Sequence, residues 1–208
     1  MIFSIIVPVF NEEKKILKIL NILNNLSFLE FKKEIIVVDD GSTDNTRNIL
    51  NQNKSLYSSL YLNEKNMGKG AAVKLGLKNC KGDYVVFQDA DLEYDPNDLI
   101  KFEEVFLKFN ADGVIGSRFN YDKYTRSHSI MNKIGNYILT LLFNILYNTT
   151  FTDIYSCYFA FNKKLINFNN LKVDGFAQHA EILCKVIKSG SRFYEVPINY
   201  NGRNIAEG

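Results

Sequence analysis

Apolar positions fall in short continuous runs separated by amphipathic stretches, and that alternation already predicts an architecture. Ile2 to Val9 is apolar almost throughout, as in a strand buried on both faces. Asn11 then offers a helix cap, Glu12 and Glu13 sit in the favourable first turn, and Ile16, Leu17, Leu20, Leu23 and Leu26 follow at helical spacing. Glu34 to Val38 repeats the buried-strand pattern. It ends in Asp39-Asp40-Gly41-Ser42-Thr43-Asp44, turn and cap chemistry leading into a helix that carries Ile49 and Leu50. Leu56 to Leu62 reads as a third strand, Asn63 to Gly70 as a loop, and Ala71 to Leu77 as the opening of another helix. Tyr84 to Phe87 is a fourth buried strand. Asp95-Pro96 then supplies the cap and first residue of a helix to about Phe109, before a short strand at Gly113 to Gly116. Strands alternating with helices in this way predict a parallel α/β sheet with right-handed crossovers.

After Arg118 the pattern changes. Phe119 to Ser129 is a polar loop containing Lys123 and Arg126. Ile134 to Tyr147 is mostly apolar, interrupted by Asn136 and Asn144, and too short to span a bilayer. It is either a core helix or a helix lying in the membrane interface, which Tyr137, Phe143 and Tyr147 would suit. Phe151 to Phe161 is aromatic and partly strand. A helix from about Phe176 to Lys188 ends at Gly190 in C-cap fashion. Phe193 to Pro197 is a strand, and Pro197 places it at a sheet edge or makes it a strand end.

Composition narrows the classes. At 208 residues the chain fits one domain with a sizeable core. A net charge of +2, with no stripe of Lys or Arg, argues against broad nucleic-acid binding. Cys80, Cys157 and Cys184 are odd in number and far apart, so neither a disulfide framework nor a zinc site is expected and a reducing compartment is favoured. Only His128 and His179 occur, which argues against an all-histidine metal site. The apolar start, Met1 to Pro8, lacks a basic region and a cleavage site, so it reads as a strand and not a signal peptide. Asn204 to Gly208 forms no closing element, and segments beyond residue 208 are one expectation.

Ligands of parallel sheets bind outside the carboxyl ends of strands. Asp39-Asp40, Asp89 with Asp91, and Ser117-Arg118 all fall there. Asp89 and Asp91 are two residues apart and can face one small volume. Carboxylates so placed are costly without positive charge between them, and a hydrated divalent cation that also holds a diphosphate would answer that cost. The plain alternative is a solvated acidic turn. Gly68-Lys69-Gly70-Ala71-Ala72-Val73 is a partial G-x-G-x-x-G, but it does not follow the first strand, which argues against a dinucleotide site. Asp39-Asp40 after a strand is also similar to phosphoacceptor receiver domains, which lack the later D-x-D and the Arg-bearing half.

Six blocks in order resemble family 2 glycosyltransferases, particularly the branch of dolichol-phosphate mannose synthase and bacterial polyprenyl-phosphate sugar transferases. They are Ser4 to Glu12, Ile36 to Asp44, Asn66 to Gly70, Gln88 to Glu93, Gly116 to Arg118, and Glu195 to Ile198. The resemblance implies a GT-A fold: a Rossmann-like, mostly parallel sheet flanked by helices, one catalytic domain over residues 1–208. It implies that Pro8, Phe10, Glu12, Val38 and Asp40 line the nucleoside pocket, with Asp40 accepting a hydrogen bond from base or ribose. Phe10 stands where the family often has Tyr, and Glu93 where close relatives carry Gln. Asp89, Ala90 and Asp91 would hold diphosphate and a Mg²⁺ or Mn²⁺ ion, with Glu93 a further candidate ligand. Gly68 and Gly70 would allow a tight approach to the donor, with Lys69 nearby as a cation.

The implied reaction is attack on the anomeric carbon of a UDP- or GDP-linked sugar, with inversion, while the metal stabilises the leaving nucleoside diphosphate. A hydroxyl acceptor needs a carboxylate base. A phosphate monoester, with its second pKa near ~6, needs cations to hold it instead. Arg118, Lys123, Arg126 and Arg203 could supply them, or could be solvated surface. Asp91 and Arg118 are catalytic candidates, while Asp153 and Glu181 would act as a base or orient sugar hydroxyls. His179 reads as a helix-surface residue. The expected reaction is transfer to a polyprenyl phosphate at the cytoplasmic side of a membrane, peripheral or anchored by segments beyond residue 208. The alternatives are a hydroxyl-acceptor transferase of cell-surface polysaccharide or glycan synthesis, and a catalytically silent nucleotide-sugar-binding module, against which the intact Asp89/Asp91 pair argues.

Overall fold

The computed structural model describes residues 1–119, 130–175 and 177–202. Its strands are β1 (Ile2–Val9), β2 (Lys32–Asp39), β3 (Ser59–Leu62), β4 (Tyr84–Phe87), β5 (Gly113–Ser117), β6 (Phe159–Asn162) and β7 (Phe193–Pro197). Its α-helices are α1 (Ile16–Asn25), α2 (Thr46–Gln52), α3 (Lys69–Asn79), α4 (Leu99–Phe109), α5 (Ile130–Tyr147) and α6 (Gln178–Ser189). The described strands form one sheet in the order β3-β2-β1-β4-β6-β5-β7.

The continuous apolar runs are explained by cores on both faces of this sheet. Phe3, Ile5, Val7 and Val9 pack with Ile16, Leu20 and Leu23 of α1 and with Leu99, Phe102 and Phe106 of α4. On the other face Ile6, Ile36 and Val38 pack with Val73 and Leu77 of α3 and Ile182 and Val186 of α6. Alternate residues of one strand thus serve two layers, and the one polar residue of β1, the buried Ser4, is paired with Glu34.

Pairing is parallel from β3 through β2 and β1 to β4, and again between β5 and β7. β6, from the aromatic Phe151 to Phe161 stretch, is inserted antiparallel to both β4 and β5, so the sheet is mixed. β7 pairs with β5 at the sheet edge, where Pro197 costs no ladder bond. Asp95 caps as expected: its Oδ1 accepts from the backbone of Asn97 at 3.0 Å, opening a single 3₁₀ turn, Pro96–Asp98, before α4.

Several element ends differ from the sequence reading. Asn11 is not a helix cap: it has a left-handed φ of 53°, and its Oδ1 accepts from the backbone of Thr43 at 2.8 Å. It ties the loop after β1 to the loop after β2, and α1 starts only at Ile16. β3 is shorter than expected because Lys54–Leu56 turns as a 3₁₀ helix. α3 starts at Lys69, and Gly190 ends α6 in an extended conformation, φ −107°, without the left-handed turn expected of a C-cap glycine.

α5 is the largest departure. Only Asn136, Thr140 and Phe143 are buried along it, while Ile130, Met131, Tyr137, Ile145 and Leu146 are each about 70% exposed or more. Asn136 and Thr140 face the protein while most of its apolar residues face outward, so it is not a core helix. No helix of the described residues is long and apolar enough to cross a membrane.

Candidate active site

The carboxyl ends of β1, β2, β4 and β5 open on one cleft of about 540 Å³. Pro8, Phe10 and Glu12 enter it from the end of β1, Asp40 from β2, and Lys69 from the start of α3. Asp89, Ala90, Asp91 and Glu93 come from the loop after β4, and Arg118 from the end of β5. Val38, expected in the same pocket, is fully buried in the core under α3 and does not line it. It shares the Asp40 side of the strand but sits one step deeper, where Ala72 and Val73 of α3 cover it. Lys123, Arg126 and Arg203 lie outside the described residues.

Each acidic residue is held by a specific partner. Asp40 accepts from Asn63 Nδ2 at 2.7 Å and from the backbones of Met67 and Gly68 at 3.1 and 2.8 Å. It therefore shapes the loop before α3, with three of about four lone-pair sites used. Asp39 does not reach the cleft: it pairs with Arg47 at 2.7 Å and accepts from the backbone of Ser42. Asp89 lies 2.5 Å from Lys69 Nζ. Burial alone would lower the Lys69 pKa, but Asp89 outweighs it and the ammonium stays charged. Asp91 Oδ1 accepts from the backbone of Glu93 at 3.0 Å, while Glu93 Oε2 accepts from Tyr200 Oη at 2.8 Å.

Gly68 lines the cleft, and both Gly68 and Gly70 are also needed for a close contact within the protein. A Cβ on Gly70 would lie 2.5 Å from the Asp174 backbone, and one on Gly68, with φ 95°, would lie 2.9 Å from its carbonyl oxygen. The glycines let α3 press against the Asp174 loop, where Ala71 N–H donates to the Asp174 carbonyl.

Asp153 and Glu181, the two candidate bases, are both engaged away from the cleft lining. Asp153 is fully buried and accepts from Arg118 Nε and Nη2 at 2.7 and 2.8 Å, and from Asn136 Nδ2 at 3.1 Å. The fork geometry fixes the guanidinium, which also lies 5.3 Å from the Tyr200 ring centroid. Burial disfavours the Arg118 charge, yet the Asp153 hydrogen bonds raise its pKa overall. Glu181 accepts from the backbones of Lys172 and Val173 and pairs with Lys185 at 2.8 Å. Partial burial would raise its pKa, but Lys185 and those N–H groups pull it down to about 2. Both carboxylates orient protein groups.

Several cleft residues had no signal in the sequence. Tyr94, Tyr155, Cys157 and Tyr200 line the cleft. Tyr200 arrives on a segment that returns after β7, where Asn201 N–H donates to the Glu93 carbonyl at 2.8 Å and closes one side of the acidic loop. Cys157 lies 3.6 Å from Lys69 Nζ, and burial, reinforced by Asp89, pushes its thiol pKa up to about 11. His179 is the clearest correction: its half-buried ring packs edge-on to Phe159, with Nε2 shielded from solvent. Burial, and then the charge of Lys69, lower its pKa to about 4. Both residues are brought in by long-range packing that no local spacing encodes.

The cleft's charge bears on a metal. Among the described lining residues are five carboxylates (Glu12, Asp40, Asp89, Asp91 and Glu93) against two cations, Lys69 and Arg118. An anionic diphosphate entering this field requires more positive charge than the protein supplies. No three His, Cys, Asp or Glu side chains converge on a metal position among the described residues. The donor set fits a hard cation of the Mg²⁺ type, held by one or two carboxylates with diphosphate and water as its other ligands. It does not fit an all-protein cage.

This mixed α/β sheet, with a cleft at its strand ends and a D-x-D loop in it, is the GT-A architecture. Residues 4–168 match the model of Glycosyl transferase family 2. An uncharacterized protein of Methanocaldococcus jannaschii is 33% identical, over 97% of this chain and 90% of that protein. The chain therefore belongs to glycosyl transferase family 2 and is a glycosyltransferase. The UDP-N-acetylglucosamine–dolichyl-phosphate N-acetylglucosaminyltransferase of Methanococcus voltae is 29% identical, over 98% of this chain and 88% of that protein. The crystal structure of Mycobacterium tuberculosis glucosyl-3-phosphoglycerate synthase with Mn²⁺, UDP and glucosyl-3-phosphoglycerate shares the fold, with a TM-score of 0.71 and 20% identity over 99% of this chain and 74% of that one. The chain spans only 58% of the S. aureus TarS 1–349 structure, which it matches at a TM-score of 0.63 and 24% identity over 94% of its own length.

Proposed function

We propose that the protein transfers a sugar from a UDP-sugar to the phosphate of a polyprenyl lipid at a membrane surface, with a divalent cation on the donor diphosphate. The observation that carries this reading is the outward apolar face of α5 and its link to Arg118. Asn136, on the buried side of α5, donates to Asp153, and Asp153 holds the Arg118 fork at the cleft wall. A surface suited to acyl chains is thus two hydrogen-bonded contacts from a cation suited to a phosphate. Burying a side chain such as Leu146 or Ile145 gains about 1.5–3 kcal/mol relative to leaving it in water. A helix with ten large apolar residues at least 45% exposed is therefore costly in water alone.

The chain's own residues would divide the work as follows. Phe10, 42% exposed at the rim, offers a ring face to the base, and Asp40 fixes the loop that borders it. Asp91, and Asp89 once Lys69 turns to the diphosphate, would hold the metal, which supplies Lewis-acid stabilisation of the leaving diphosphate when bound. Arg118 presents charge to the attacking phosphate. That nucleophile is already ionised near neutral pH and requires no base. The engagement of Asp153 and Glu181 in the protein's own hydrogen bonds supports this acceptor over a sugar hydroxyl, for which they were the candidate bases. Dolichyl phosphate in the name of the M. voltae relative supports it too, as UDP in that name supports the donor nucleotide.

The test is a panel of UDP- and GDP-sugars with Mg²⁺ or Mn²⁺, with and without polyprenyl phosphate. The reading predicts labelled sugar in the organic extract only when lipid phosphate is present. Transfer to soluble sugars at the same rate without lipid phosphate would contradict it.

A further inference from the structure

Two buried polar atoms beside the cleft have no hydrogen-bond partner among the described residues: Gln178 Nε2 and His179 Nε2. Both side chains come from the first turn of α6 and line a second cavity of about 50 Å³. It shares Lys69, Tyr155 and Cys157 with the main cleft, and its other walls are the core side chains Val73 and Phe87. Leaving a buried hydrogen-bonding group unmade costs about 1–3 kcal/mol, and native folds seldom do so without reason. Two such groups side by side, next to Lys69 and its Asp89 partner, point to a ligand group that completes them.

The chemistry of that group can be read from the walls. Gln178 Nε2 is a donor. The His179 ring bonds the backbone of Ile154, and with Nε2 the unpartnered nitrogen, that bond falls to Nδ1. The ring is neutral at pH 7, so Nε2 carries a lone pair and accepts. One water needs about 10–15 Å³, so the cavity takes roughly four heavy atoms: a substituent, and not a pyranose ring.

We propose that this cavity receives the acetamido group of an N-acetylated donor sugar. Its carbonyl oxygen accepts from Gln178 Nε2, its N–H donates to His179 Nε2, and its methyl rests on Val73 and Phe87. A hydroxyl at the same carbon brings one heavy atom where four fit, and leaves the apolar wall uncovered. The inference rests on the cleft being a nucleotide-sugar site, and it adds which sugar class that site takes.

Calorimetric titration of the full chain with UDP-GlcNAc, UDP-glucose and UDP, in Mn²⁺, tests it. The wild type is expected to bind UDP-GlcNAc about tenfold or more tightly than UDP-glucose, since a site built for a hydrogen-bonding group rejects the analogue lacking it. Gln178→Leu and His179→Leu should each bring that ratio within about threefold while UDP affinity holds, because neither side chain meets the nucleotide. Equal wild-type affinity for the two sugars overturns the proposal whatever the variants do. A ratio unchanged in both folded variants overturns it as well. If UDP itself does not bind, the nucleotide-sugar reading falls; if UDP binds and the sugars are not distinguished, only the acetamido assignment falls.

Discussion

Arg118 and Asp153 form the bond on which the candidate acceptor site depends. Asp153 is fully buried, so Arg118→Ala strands a carboxylate with Asn136 and the backbone N–H of residue 118 as its remaining partners. Breaking a buried pair from one side costs about 3–5 kcal/mol, and adding Asp153→Asn should recover more than half of that in urea unfolding. His179 gives a second expectation, in pH. Its folded pKa of about 4 lies below the ordinary 6.5, so the unfolded chain binds more protons between those values. Stability should therefore rise with pH across that window, and His179→Leu should flatten the rise in thermal unfolding followed from pH 4 to pH 7. The carboxylates of the cleft and Arg118 were legible because each sits in a short block at a strand end. Tyr200, Cys157 and Gln178 were not, because their places depend on Glu93, on Lys69 and on the cavity walls Val73 and Phe87, all across long sequence separations. Val38 and Asp153 were misread for a related reason: a block gives a residue's neighbourhood, not how deeply other elements bury it.

At the scale of elements, strands buried on both faces announce themselves as unbroken apolar runs, which is why β1, β2 and β4 could be placed from sequence. β6 could not be oriented, since an antiparallel strand inserted between β4 and β5 has the same local composition as a parallel one. α5 was ambiguous because hydropathy counts the same residues whichever way they face. The structure resolves the ambiguity by burying Asn136 and Thr140 and turning the leucines outward. Leu142 and Ile145 are 52% and 70% exposed, so changing both to Glu should alter stability by no more than about 1 kcal/mol in total. The same pair should abolish flotation with lipid vesicles if this face meets the bilayer. Unchanged flotation would remove α5 from the acceptor account. Asn136→Leu should do the reverse, costing about 1–3 kcal/mol through the lost bond to Asp153 while vesicle binding persists.

For the molecule as a whole, the sheet gathers acidic groups at one end and leaves their charge to be offset by what binds. Five lining carboxylates against two cations make diphosphate and metal binding mutually dependent. Mn²⁺ affinity, read by electron paramagnetic resonance, should rise at least about tenfold when UDP is present, and Asp91→Asn should remove that gain. The central claim concerns what attacks the donor, and a pair of acceptors differing in one group tests it most directly. Polyprenyl phosphate and the corresponding polyprenol, each supplied with labelled UDP-sugar and Mn²⁺, share the lipid and differ only in the phosphate. Labelled lipid should form from the phosphate alone, and formation from polyprenol at a comparable rate would contradict the account.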